Sequence, residues 1–455
     1  TPRKWEKKKD WVKEKSAQRV WHDVWALNAR DLEDWFENAP AVAREFALHI
    51  GKYVGNVRGL EEFWREWSSA TDPAITERLL LASHDGQATQ LLTELEKTGF
   101  ITTINAETVN EAIGFTFAAL SLADPDRRNQ LLSKMLLCEN EDAARSAKLV
   151  SQELTVVLPA NLAPLAGDLH NAGKSIIIAD HVRTGTQPKG VVIDTPWRHD
   201  FEMALRAGGM PEETAIQVAA QTGASISAYR RLLPVSSIAE PGAWNASEHS
   251  EVMVPAVLAG QWIHKDNVSD WVMLEKLALS RHDVSELRLK KLLDIEAAPI
   301  RNEGVVWFLS APSDAFLAMG PHITSEHLEA FENVAIEVLS ELDPRFELEA
   351  KDRFAAQIYG KSHRFSGRFR YGLSQALCLI TTRLAKVGGE DGSGRVNWIT
   401  GKILETVQAN GWIGWASISD ICPLLAEAAP TTYLNSIEMT LRDDPDTFVQ
   451  LMTDE

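Results

Sequence analysis

Between residues 79 and 195, short apolar runs alternate with helical patterns. Phe100-Ile-Thr-Thr-Ile-Asn105 reads as a buried strand, Ala106–Asn110 as a loop, and the stretch to Leu120 as a helix. Further strands are expected at 135–138, 154–158, 176–179 and 191–193, with helices at 86–97, 107–120 and 160–171. Apolar runs of four to six residues between helical patterns predict a mostly parallel sheet covered on both faces, joined by right-handed crossovers.

The pattern changes on either side. Residues 1–75 form a Trp-rich, mainly helical region holding Trp5, Trp11, Trp21, Trp25, Trp35, Trp64 and Trp67. Tryptophan at helical spacing predicts core packing. Residues 76–198 make the α/β domain, and 199–235 read as three short helices punctuated by Gly208-Gly209 and Gly223. Residues 250–320 read as helices at 251–263, 268–280 and 283–294, then a hairpin turning at Arg301–Gly304, which is winged-helix order. Asp283-Val-Ser-Glu286 supplies a capping pattern for the third helix. Residues 324–455 read as a helical array, with helices near 346–359, 366–386, 397–409, 416–428 and 431–441 and a flexible loop at Gly388–Gly394.

At 455 residues the chain is long enough for two to four domains. Its net charge of −18 argues against broad nucleic-acid binding, although Arg3 to Arg19 is locally basic. The 3 cysteines are far apart, which predicts neither zinc nor a disulfide framework and fits a reducing cytoplasm. No apolar stretch is long enough for a membrane helix, and no signal peptide is visible. The chain opens on Thr-Pro-Arg and closes on an apparently helical Phe448–Met452, so a segment of a longer polypeptide is expected.

The strand–loop–helix at 100–120 is where a phosphate loop would sit, yet Ala106, Glu111, Ala112 and Ile113 replace its glycines, lysine and hydroxyl. Glu107 and Glu111 place negative charge where an anion would bind. Glu139 and Glu141, after strand 135–138, occupy the place expected for a metal-binding carboxylate. Gly173-Lys174-Ser175 follows a helix and precedes a strand, the reverse of a phosphate loop, and is expected to be a structural turn. Arg230 and Arg231 end the three-helix module and are the candidate nucleotide contacts. Arg288, Lys290 and Lys291, with Arg364, Arg368 and Arg370 in the basic–aromatic run His363–Arg370, are the candidate nucleic-acid or partner contacts. No catalytic residue, metal site or cofactor is expected.

The order of parts, with strand 100–105 leading into helix 107–120, Arg230-Arg231 and a Trp307-containing wing, resembles the signal-transduction ATPases with numerous domains, a branch of the AAA+-like P-loop proteins. Val20–Trp35 looks like the stretch following a restriction-endonuclease-like domain in large bacterial proteins. The resemblance implies a fold with a P-loop-like parallel sheet lacking its phosphate motif, a helical lid, a winged helix and a helical array. It implies a non-catalytic scaffold or regulatory segment of a cytoplasmic bacterial sensor or antiphage-defence protein, with an attached effector or protein partner and scope for oligomerisation. Two alternatives stay open: a nucleic-acid-binding module using the winged helix and residues 363–370, and an active NTPase with a displaced phosphate loop at Gly173–Ser175.

Overall fold

A computed structural model describes residues 5–52, 57–150, 153–182, 188–236, 242–279, 285–387 and 392–453. The chain separates into two compact units. The first is built on a sheet of strands β1 (Val57–Gly59), β2 (Ile101–Ala106), β3 (Met135–Cys138), β4 (Thr155–Pro159), β5 (Ser175–His181) and β6 (Val191–Val192). Their order is β1-β3-β4-β5-β2-β6, parallel throughout except for β1, which pairs antiparallel with β3 at the edge. The edge strand β1 has no counterpart in the sequence reading, because three residues carry no usable periodicity.

Strands β3, β4 and β5 read as unbroken apolar runs because both faces of the sheet are covered. On one face lies helix Val109–Ala119, packed on β2 and β5, with helices Leu60–Ser68, Glu77–Leu80 and Asp85–Leu95 against it. Trp67 lies so close to Gly114 that a Cβ there would meet its ring at 2.8 Å, and Trp64 stacks on Phe117 at 5.0 Å. Alternate residues of the same strands, Val156, Leu158 and Ile176, join Ala143, Ala147 and Leu169 in a second cluster.

The tryptophan expectation holds only for this part of the region. Trp67 is buried and Trp64 half-buried, but Trp11, Trp21, Trp25 and Trp35 are exposed. Helices Lys8–Ala17, Ala29–Asn38 and Pro40–His49 contain no buried residue. Their indoles have helical spacing without an opposing layer among the described residues.

The three helices expected at 199–235 lie at Arg198–Ala207, Glu212–Thr222 and Ile226–Leu232. The first belongs to the first unit and the third to the second unit.

The second unit contains helices Ser250–Ala259, Val268–Leu277 and Glu286–Leu293 and strands β7 (Gln261–Ile263), β8 (Ile300–Glu303) and β9 (Val306–Leu309). The strands form an antiparallel sheet in the order β7-β9-β8. The helix expected to reach 263 stops at Ala259: Gly260 has φ +69°, and Gln261–Ile263 pairs with β9, setting Trp262 opposite Trp307. Ser285 caps helix Glu286–Leu293 by accepting from the Arg288 N–H, whereas Asp283 lies outside the described residues.

Beyond Thr324 the chain is helical, as expected, with two differences. The segment expected as one helix over 346–359 holds only the 3-10 turns Pro344–Glu347 and Ala350–Ala355, and 416–428 divides into Gly411–Ser417 and Cys422–Ala428. In the first case Pro344 and the lack of any buried side chain in either turn leave no apolar face to hold a longer helix. Gly388 to Asp391 of the expected flexible loop lie outside the described residues. One continuous core runs from Trp244 to Ala429 through this unit. Among the described residues no helix is long and apolar enough to cross a membrane.

Candidate functional site

In an open parallel sheet, ligands bind beyond the carboxyl ends of the strands, where the strand order reverses. Here that place is the end of β2, because the chain leaves β2 for β3 on one side and later adds β6 on the other. The Ala106 carbonyl accepts from the Val182 N–H at 2.9 Å, and Ala106 is fully buried. The Asn105 amide donates to the carbonyls of Lys189 at 2.9 Å and Val191 at 3.3 Å, fixing the turn into β6. At that turn Gly190 has φ +88°, and a Cβ would lie 2.2 Å from the Thr103 carbonyl oxygen, so only glycine fits.

The next helix opens at Val109. Thr108 Oγ1 accepts from the Glu111 N–H at 3.0 Å, and the Glu111 carboxylate is buried in the first turn. The positive end of the helix is thus answered from within the chain, by a hydroxyl and a carboxylate. A phosphate loop needs these N–H groups pointing at a ligand with glycine around them. At the end of β5, Asp180 Oδ1 accepts from the His181 N–H at 2.8 Å and lies 3.4 Å from His181 Nδ1. His84, before helix Asp85–Leu95, packs edge-on against Phe115, and burial holds its imidazole below the usual range.

Glu139 is not at this site. Strand β3 stands three positions from β2, about 14 Å at the usual strand spacing, and Glu139 pairs with Arg58 at 3.0 Å. The strand between β3 and β5 ends on Pro159-Ala160-Asn161, with no carboxylate. Glu139 follows its strand as a metal-binding carboxylate would, but strand order, which spacing along the chain does not reveal, puts β3 far from β2.

Gly173-Lys174-Ser175 is a helix-to-strand turn, as expected. Gly173 has φ +82°, β5 begins at Ser175, and the buried Lys174 Nζ donates to the Val150 carbonyl. The tripeptide lies at the amino end of β5, the opposite end of the parallel strands from Thr108. An open parallel sheet binds its ligands at the other end of its strands.

Arg231 is engaged within the second unit. It forms a two-pronged ion pair with Asp314, Nη2 to Oδ2 at 2.8 Å, and its guanidinium lies over Trp244 at 5.5 Å. Arg230 is half-buried beside it. Arg288 pairs with Glu251 at 2.7 Å and Lys290 with Glu286 at 2.7 Å, while Lys291 is exposed. Arg364 pairs with Glu337 at 2.7 Å and lies over Phe365, and Arg368 is exposed, with Gln261 at 3.5 Å.

Arg370 is fully buried, donating to the carbonyls of Val338 at 3.0 Å and Ser417 at 2.8 Å. Phe365 and Phe369 are also buried. The basic–aromatic run His363–Arg370 therefore turns both phenylalanine rings and one arginine into the core. Alternation of charge and ring does not reveal this, because the buried side of helix Gly367–Arg383 includes a charged residue.

The sequence reading also missed Asp270. This fully buried carboxylate accepts from the N–H groups of Ser366 and Ile263 and from the Ser366 hydroxyl at 2.5 Å. An Asp in the first turn of a helix is ordinary on a surface, and nothing local marks this one as interior.

Among the described residues no group of three or more His, Cys, Asp or Glu is arranged to hold a metal ion. Burial pushes the thiols of Cys138 and Cys378 up to about 12, which disfavours the thiolate at neutral pH. In comparisons with known proteins, no family model, no curated protein and no solved structure matches the chain.

Proposed function

We propose that this chain is a non-catalytic, P-loop-like scaffold, the regulatory segment of a larger bacterial sensor or antiphage-defence protein. The observation that carries this reading is the self-capped helix after β2. It occupies the position of a phosphate site, and Thr108 and Glu111 take the place of the anion. The strand order supports it, since β2 lies between β5 and β6 with a helix following directly. Helix–strand–helix–helix–hairpin order in 250–309, with β9 between β7 and β8, favours a winged helix there. Helices Arg198–Ala207, Glu212–Thr222 and Ile226–Leu232 correspond to the lid, and the helices beyond Thr324 to a recognition array. The protein partner and attached effector belong to the same proposal, as does a cytoplasmic location. Pairing of Arg288, Lys290 and Arg364 with acids, and burial of Arg370, favour packing over nucleic-acid contact at those positions.

Thermal unfolding with and without millimolar Mg-ATP tests the proposal. A ligand that binds the native state at 100 times its Kd adds about 2.7 kcal/mol, so binding would be visible as a rise in Tm. No shift is expected with ATP, ADP or GTP. A saturable rise with any of them overturns the reading.

A further inference from the structure

We propose that the groove between helices Lys8–Ala17 and Ala29–Asn38 binds single-stranded nucleic acid. Lys8 Nζ meets Asp31 at 2.5 Å and clips the two helices together. Beside this clip lies an open groove of about 590 Å³ whose lining includes Lys9, Lys13, Asp34, Trp25 and Trp35.

Three features of the groove need a common cause. First, Trp25 is 74% and Trp35 58% exposed, a large apolar area left in water by indoles that normally bury. Second, Lys9 and Lys13 stand four apart on one helical face, where like charges destabilise the helix. Neither lysine has an ion-pair partner among the described residues. Third, helix Lys8–Ala17 carries Lys8, Lys9, Lys13 and Lys15 against Asp10 and Glu14, a basic wall in a chain whose net charge is −18, while Asp31 of the facing helix is taken up by Lys8.

A ligand with a repeating anion and flat apolar faces answers all three. Single-stranded nucleic acid is held by cations that track its backbone and aromatic rings on which bases stack. An acidic protein surface fits less well, because protein interfaces are enriched in Trp but depleted in Lys. A duplex would leave the indoles unused, because its bases are already stacked. The charge of the rest of the chain does not forbid local binding, since charges beyond about 8 Å are largely screened at physiological salt. This groove is separate from the basic residues of 288–291 and 364–370, which are paired with acids, exposed singly or buried. It does not depend on whether the sheet domain binds nucleotide.

The test is fluorescence anisotropy of the full chain with a labelled oligothymidine of about 12 nucleotides, at about 50 mM and 200 mM salt. Binding is expected at low salt, weakening as salt rises, with quenching of tryptophan emission. Lys9→Glu with Lys13→Glu, and separately Trp25→Ala, should each weaken binding about tenfold or more without moving the Tm. Trp25→Phe, which keeps a ring face, should retain more affinity than Trp25→Ala. The proposal is overturned by no binding at low salt, by wild-type affinity in both Lys9→Glu/Lys13→Glu and Trp25→Ala, or by equal affinity for a duplex of the same length. Preferential binding of phosphatidylserine vesicles over the oligonucleotide would overturn it as well, identifying the groove as a membrane contact.

Discussion

Arg370→Ala should be among the most damaging single substitutions in the second unit. The guanidinium sits at the carboxyl ends of two helices. Val338 is in the last turn of Ser325–Leu339 and Ser417 is the last residue of Gly411–Ser417, so both carbonyls lack a partner within their own helix. Arg370 donates to both, at 3.0 and 2.8 Å, and places its charge where helix dipoles favour a cation. Asp420, 3.4 Å away, is half-exposed and contributes less. Alanine would leave two buried carbonyls unsatisfied at about 1–3 kcal/mol each, with a cavity in addition, for a total of about 3–5 kcal/mol. Arg370→Lys reaches one carbonyl and should lose about half as much. Hydrogen exchange read by mass spectrometry gives the local answer. Amides of Ser325–Leu339, Gly367–Arg383 and Gly411–Ser417 should exchange faster by about two to four orders of magnitude, at about 1.4 kcal/mol for each factor of ten. Amides of β2 to β5 should be unaffected. A loss below about 1 kcal/mol, or equal loss in the sheet, would refute the assignment of Arg370 as the clamp of these helices.

Two further outcomes follow from the same geometry. Hydrogen bonds from Lys290, Lys265 and His264 hold the Glu286 carboxyl down to about 2, from an ordinary 4.5. A depressed carboxylate stabilises the fold above its unfolded pKa, and that contribution is lost as pH falls through the native value. The urea midpoint should therefore drop between pH 4.5 and about pH 2, and Glu286→Gln should flatten that part of the curve. An unchanged slope in the variant would show that other carboxylates dominate. Lys174→Ala should cost about 1–3 kcal/mol by leaving the Val150 carbonyl without its buried donor, while leaving any response to nucleotide as it was. A loss of nucleotide binding in that variant would return Gly173-Lys174-Ser175 to the list of phosphate sites.

Much of the architecture was legible because it depends on neighbours along the chain. The apolar run at Phe100–Asn105 gave β2 to within a residue, and Met135–Cys138 was read in full. Gly208-Gly209 and Gly223 divided the helices near 199–235, and Gly304, at φ +63°, turned β8 into β9. That no glycine–lysine–hydroxyl motif follows β2 is equally plain, since it is a matter of residue types alone.

Tertiary structure decided the rest. Trp35 has the same helical setting as Trp67, yet one faces water and the other fills the space over Gly114. Arg364 and Arg370 share one basic run, but only Arg370 lies where two helix ends converge. Glu139 follows a strand as a metal-binding carboxylate would, but the strand order carries it away from β2. Sequence alone determined most of the helices and the longer parallel strands, because periodicity, capping and turn residues act over a few positions. Burial, strand order and pairing depend on contacts between residues far apart in the chain, and only the folded chain brings those together.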